Sequence, residues 1–290
     1  MAGSAVTNRL YVSSDGTSGS GVLVAYDLRE NRVVWSHRYA PALDGICVTP
    51  DGAKIYVSSG ETSTSDHFFV LDAHDGQELD RIHVAPKTHN AICNLDSTRA
   101  YLTSVTSPYV HVIDTSDDHL IRRIGPFGDS VRPFTINGRN TVVVVNVNHL
   151  IGFEVGDIAT GRKLFRVAVP GSVDDGVTLD PSHGVAFTPD EEEIWVADSR
   201  HRAVHVFDAS GLPAHVPRLI ATIALSGQPQ WITFSLDGRY AYPSTGDVID
   251  TATRETVAHI APRASKLLEV DVRDGDPIRV SSRHGIGYVT

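Results

Sequence analysis

The chain has 290 residues, 41% of them hydrophobic, which is enough to bury a sizeable core. Its formal net charge of -10 disfavours phosphate backbones and anionic lipid surfaces, so neither nucleic acid nor a membrane is an expected partner. The two cysteines, Cys47 and Cys93, are too few for a disulfide scaffold; each lies in an alternating apolar segment and reads as a buried thiol of an inner strand.

From the N-terminus, MAGSAVTNRLYVSS has neither the basic nor the apolar region of a leader. No stretch approaches the ~18 apolar residues of a membrane helix. The expected location is cytoplasmic, or secreted or periplasmic if a leader has been removed. The first predicted strand is RLYVSS, with its aromatic at Tyr11. The phrase returns as IYVSS at Tyr56 and AYLTS at Tyr101, and weakens to TVVVVN at Val142. It recurs as IWVADS at Trp195 and AYPST at Tyr242. The spacings are 45, 45, 41, 53 and 47 residues. A unit of ~40–50 residues is what four strands of a propeller blade require.

Two further phrases keep step. A turn residue precedes each later aromatic strand: Asp51, Asp96, Asn137, Asp190 and Asp237. Asp-Gly and Asn-Gly dipeptides supply the positive φ of tight hairpins. After the aromatic strand comes an alternating strand ending in an acid: Asp27, Asp72, Asp114, Asp208 and Asp250. A carboxylate there accepts backbone N–H groups two residues on, so these acids read as turn formers and not as catalysts. Each repeat thus predicts four strands, a to d, of the kinds GICVTPD, KIYVSS, FFVLDA and LDRIHV. No segment carries a helical period, so the fold class is all-β.

These phrases resemble the YVTN-type β-propeller repeat family. The residues that carry the resemblance are YVSS (11–14 and 56–59), VIDT (112–115 and 248–251), TPDG (49–52) and VAFTPDEEEIWVADS (185–199). The resemblance covers nearly the whole chain and implies one β-propeller domain over residues 1–290. It says little about activity, since such repeats occur in lactonase-like enzymes, electron-transfer subunits and binding proteins. Repeat four departs most, with Val142 in place of the aromatic and a long connection, PGSVDDGVTLDPSH (170–183), to its successor.

The first repeat reads as lacking strand a. The tail segment KLLEVDVRDG has the alternation to supply it, so that the C-terminal strand joins the N-terminal blade and closes a ring of six blades. Seven blades is the alternative, if the tail forms strands of its own.

In a propeller, strand a lines the axis, and the d–a and b–c loops gather at one mouth. One residue per blade starts strand a: Asp44, His89, Ser130, His183 and Gln230, with Lys266 or Leu267 from the tail. Asn90, Arg132 and Trp231 are sequence neighbours, and the d–a loop before His183 adds Asp174 and Asp175. The b–c loops add Asp66, His67, Asn146, His149, Asp198 and His201. This ring is polar and titratable. His89, His149 and His183 come from successive blades, and three neutral imidazoles suit a divalent transition metal. Asp44 or Asp175 would be a fourth ligand or a general base. Arg132, Gln230, Trp231, Lys266 and Asn90 would hold substrate. No HxH or HExxH spacing is present, so the metal signal is positional, and a plain polar lining is the alternative. There is no GxSxG elbow, no phosphate-cradling glycine loop and no CxxCH haem motif. The expected function is a small-molecule enzyme of hydrolase, lyase or isomerase type, acting on an oxygenated substrate such as a lactone. A non-catalytic ligand- or protein-binding propeller is the alternative, and an electron-transfer subunit the weakest reading.

Overall fold

Strands form where the repeat predicts them: burial alternates along segments such as Gly21–Asp27, whereas inner segments such as Val142–Val147 are wholly buried and rich in β-branched valine. The computed structural model describes residues 1–15, 19–172, 179–260, 266–282 and 284–288, and no helix occurs among them. Sheet one runs Ala2–Ser4, Arg9–Ser14, Gly21–Asp27 and Arg32–Tyr39. Sheet two runs Ile46–Val48, Lys54–Ser58, His67–Asp72 and Glu78–His83. Sheet three runs Thr88–Cys93, Arg99–Ser104, Val110–Asp114 and Leu120–Ile124. Sheet four runs Val131–Ile136, Val142–Val147, Gly152–Asp157 and Lys163–Ala168. Sheet five runs Val185–Phe187, Glu193–Asp198, Ala203–Asp208 and Arg218–Ala224. Sheet six runs Ile232–Phe234, Tyr240–Pro243, Asp247–Asp250 and Thr256–His259. A seventh sheet has only Val270–Arg273 and Asp276–Val280. In the first six the strands follow one another in chain order, so each is a blade-like meander. Their a–b and b–c pairings are antiparallel.

The chain divides into two compact units. One holds Met1–Arg123 with Val270–Val280, the other Ile124–Glu269 with Ser281–Thr290. Within the first, strand a of sheet two lies beside the a strands of sheets one and three. Within the second, strand a of sheet five lies beside those of sheets four and six. Burial falls from a to d: Ile46–Val48 is wholly buried, whereas Glu78–His83 is almost wholly exposed. The cores lie between successive sheets. Tyr11, Leu23, Ile55 and Phe69 fill the gap between sheets one and two, and Phe68, Ile82, Ala91 and Leu102 that between two and three. Phe153, Val185 and Phe207 join four to five, and Trp195, Ile232 and Phe234 join five to six.

The repeated aromatic has a second task. The Tyr11 hydroxyl donates to the Ala73 carbonyl at 2.9 Å, and that of Tyr56 to Asp118 Oδ1 at 2.5 Å. Each reaches the c–d turn of the following sheet. The repeated acids build those turns: Asp72 accepts the His74 N–H at 2.6 Å, Asp114 that of Ser116 at 3.0 Å and Asp250 that of Ala252 at 3.0 Å.

Two expectations are corrected. Sheet one has its own strand a, Ala2–Ser4, paired with Arg9–Tyr11, so the tail does not complete it. The tail residues fold back on themselves as the Val270–Val280 hairpin instead, because Asp274 and Gly275 both take the positive φ of a tight turn. The cysteines are not thiols. Cys47 and Cys93 form a disulfide between strands a of sheets two and three, with Cα atoms 5.7 Å apart.

Candidate functional site

Two of the residues expected at the start of strand a meet directly. Asp44 precedes sheet two and His89 opens sheet three. Asp44 Oδ2 lies 2.7 Å from His89 Nδ1. Glu61, in the loop after Lys54–Ser58, brings Oε2 to 3.8 Å from the same nitrogen. Donor atoms of the three lie within 4.8 Å of one another, the only such group of three or more metal-capable side chains among the described residues. The His89 side chain is 4% exposed, that of Asp44 21% and that of Glu61 42%. The imidazole therefore forms the floor, and the carboxylates face outward.

Local backbone chemistry sets this geometry. Gly45 N–H donates to the His89 carbonyl at 2.9 Å. A Cβ on Gly45 would sit 2.1 Å from that oxygen, so only glycine lets the two strands approach. Ser13 Oγ–H donates to the Asp44 carbonyl at 2.5 Å, and the Ser59 and Thr88 hydroxyls bond at 2.9 Å. The Cys47–Cys93 bond ties the same two strands further along. Asn90 is buried, its N–H 3.4 Å from Thr103 Oγ1, and so belongs to the strand and not to the solvent-facing rim.

The arrangement admits two chemistries. A carboxylate against Nδ1 fixes the tautomer and orientation of an imidazole, as in acid–base dyads. One imidazole nitrogen with two carboxylates is also a donor set for a divalent cation of intermediate hardness. The two compete for Nδ1, which holds either a proton or a cation.

The second unit repeats the motif with other side chains. His183 Nδ1 lies 3.4 Å from the Gln230 carbonyl and Nε2 3.8 Å from Asp180 Oδ2. Gly184 follows His183 as Gly45 follows Asp44, and its Cβ would meet the Gln230 carbonyl oxygen at 2.5 Å. Trp231 takes the His183 ring edge-on at 5.3 Å and the Lys266 ammonium over its face at 5.7 Å. Gln230 is exposed. Arg132, on strand a of sheet four, is buried and its Nε–H donates to Asn148 Oδ1 at 2.5 Å, which makes it part of the framework that holds the b–c loop of that sheet. His149 sits in a left-handed turn, φ 59°, with its N–H on the Leu179 carbonyl at 2.9 Å. His149 and His183 belong to this unit and His89 to the other. Asp174 and Asp175 lie outside the described residues.

The b–c loop candidates are framework groups. Fully buried Asp198 Oδ2 takes the rings of His201 at 2.7 Å and His205 at 3.0 Å. Burial opposes its charge, but these bonds and the His201 N–H hold its carboxyl below the ordinary value. Asn146 spans sheets four and five by accepting from Gly184 N–H and donating to the Gly152 carbonyl, both at 2.9 Å. Asp66 accepts from His83 Nδ1 at 2.9 Å.

Sequence reasoning passed over Glu61 and His284. Glu61 stands in a Ser/Thr-rich loop where no spacing marks it. Buried His284, from the tail, lies 6.0 Å from the Trp231 ring and 6.4 Å from that of Phe134. The glycines after Asp44 and His183 are the available signal, because each marks a close approach of two first strands. A scan against protein-family models finds no match to the chain, and no curated protein matches it.

Proposed function

We propose that the chain is a β-propeller of YVTN-type repeats, forming one domain, with six four-stranded blades and the Val270–Val280 hairpin as a two-stranded seventh. We further propose that it is a small-molecule enzyme whose centre is Asp44, Glu61 and His89. The observation that carries this reading is the 2.7 Å Asp44–His89 contact with the Glu61 carboxylate 3.8 Å from the same nitrogen. An imidazole that is 4% exposed is too enclosed to meet a substrate itself, which favours cation-assisted chemistry over direct base catalysis by His89. A divalent ion held by the three donors would polarise a substrate oxygen and lower the pKa of a bound water. Asp44 and Glu61 supply the two negative charges that match it, and His89 the neutral nitrogen. Glu61, the most exposed of the three, is placed to accept a proton from water or from a carbon beside a carbonyl. The reaction we propose for such a centre is of hydrolase or lyase/isomerase type on an oxygenated substrate such as a lactone. The disulfide fits an oxidising compartment and supports a secreted or periplasmic location.

A second reading, a non-catalytic ligand-binding protein, draws on the Trp231–Lys266 pair beside exposed Gln230. The test is elemental analysis of dialysed, untagged protein, followed by a turnover screen on lactones and esters. A near-stoichiometric divalent metal is expected in the wild type and its loss in His89→Ala. Glu61→Gln is expected to lower turnover by about 10²–10⁴-fold, the usual contribution of a positioned acid or base. Metal-free wild type with turnover intact in both variants refutes the assignment. Ligand binding without turnover favours the second reading.

A further inference from the structure

We infer that the oxidation state of Cys47–Cys93 sets the cation affinity of the Asp44–Glu61–His89 group. The inference rests on the cation reading proposed above, and its argument is positional. Cys47 lies three residues after Asp44, and Cys93 four after His89. The two strands belong to different sheets, so no ladder of hydrogen bonds holds them in register. Their spacing near the site is held by the Gly45 N–H to His89 bond, the Ser59–Thr88 hydroxyl pair, the bonds of the Thr88 hydroxyl to the His67 carbonyl and of Lys87 N–H to the Ser65 carbonyl, and the disulfide. Of these only the disulfide is covalent. Both cysteines sit within the apolar cluster of Tyr56, Phe68, Ala91 and Leu102, so the bond is braced on each side.

A cation site needs its donors at fixed separations, and looseness of ~1 Å in the supporting shell is enough to spoil one. Reduction removes this covalent restraint, and replacing both cysteines by alanine removes it too. The strands bearing Asp44 and His89 are then free to part. In the reduction, a dithiol thiolate attacks one sulfur and breaks the Cys47–Cys93 bond. Its second thiol then closes a cyclic disulfide, so two electrons and two protons pass to the protein, which is left with two thiols. Oxidised protein is the tight-binding form and reduced protein the weak one.

The coupling is reciprocal, so a bound cation must also make the disulfide harder to reduce by the same factor. The test uses Mn²⁺, which thiols ligate poorly, titrated calorimetrically into the whole chain. Wild type is compared with Cys47→Ala/Cys93→Ala, with folding checked by circular dichroism. About tenfold weaker binding is expected in the alanine pair, and equal affinity overturns the inference. Should the pair not fold, the wild-type disulfide is equilibrated with dithiothreitol with and without Mn²⁺. The cation should then shift the midpoint by about 30 mV, the equivalent of tenfold for two electrons. No shift overturns the inference. Should the wild type bind no Mn²⁺, the cation reading fails separately. The clamp is then judged on the His89 ring resonances, with exposed His119 as reference: movement of His89 alone on reduction retains the mechanical coupling, and no movement ends it.

Discussion

His111 offers a direct test of how this fold handles a titratable group in its interior. It lies on Val110–Asp114, is 3% exposed, and its Nδ1 has no hydrogen-bond partner among the described residues. Burial, with the Arg123 cation adding to it, pushes its pKa from 6.5 down to about 4, while a bond with the Leu102 backbone works the other way. The folded value thus lies below the unfolded one. Above pH 6.5 both states are neutral and the stability is fully present. As pH falls from 6.5 to about 4 the unfolded chain takes a proton that the folded chain refuses, so stability is lost. Below that both states are protonated and the loss stops growing. A shift of this size corresponds to about 3 kcal/mol at ~1.4 kcal/mol per pKa unit. Urea unfolding at intervals from pH 7.5 to pH 4, on wild type and His111→Leu, isolates the term, since the surface carboxylates are common to both. Wild type should lose about 3 kcal/mol more than the variant between the ends of that range. Parallel curves would refute the reasoning.

Two further outcomes follow from buried polar contacts. Tyr56→Phe removes the bond to Asp118, which also holds Lys54 Nζ at 2.6 Å, and should cost about 2 kcal/mol in chemical denaturation, as expected of a hydrogen bond to a charged group. Glu154 is fully buried and accepts from Gly128 N–H at 2.7 Å, Arg166 at 2.8 Å and Lys163 at 3.4 Å. Glu154→Ala strands the amide, whereas both cations, 47% and 35% exposed, turn to water. The expected loss is therefore about 2–3 kcal/mol, the cost of unpaired buried polar groups, and not the larger value of an uncompensated buried charge.

The strands were legible in the sequence because their signals are local: an alternating run, an Asp-Gly turn and a terminal acid all act within about ten residues. The acids read as turn formers at Asp72, Asp114 and Asp250 are turn formers. The meeting of Asp44 with His89 was partly legible, since both hold the same repeat position in successive sheets. What stayed hidden was chemistry between segments. The disulfide joins residues 46 apart in sequence, and nothing in ICVTP or ICNLD states that the two face each other. Glu61 reaches His89 by the path of a loop, not by a period. Ala2–Ser4 was overlooked because three small residues carry little alternation, yet pairing with Arg9–Tyr11 suffices to make them a strand.

The reach of Tyr11 and Tyr56 always runs forward, from a b strand to the turn of the sheet that follows. In the second unit Glu193, on the b strand of sheet five, takes Trp195 Nε1–H at 2.8 Å and Arg254, from the c–d turn of sheet six, at 2.7 Å, so the direction is kept with different atoms. Such fastening has a polarity, like shingles laid in one sense. Sheets two, three and six are each gripped by the sheet before them, so a lesion in one fastener loosens a single joint. Cooperativity within each unit then depends on nearest neighbours, and a joint weakened by substitution should exchange its amide protons ahead of the others.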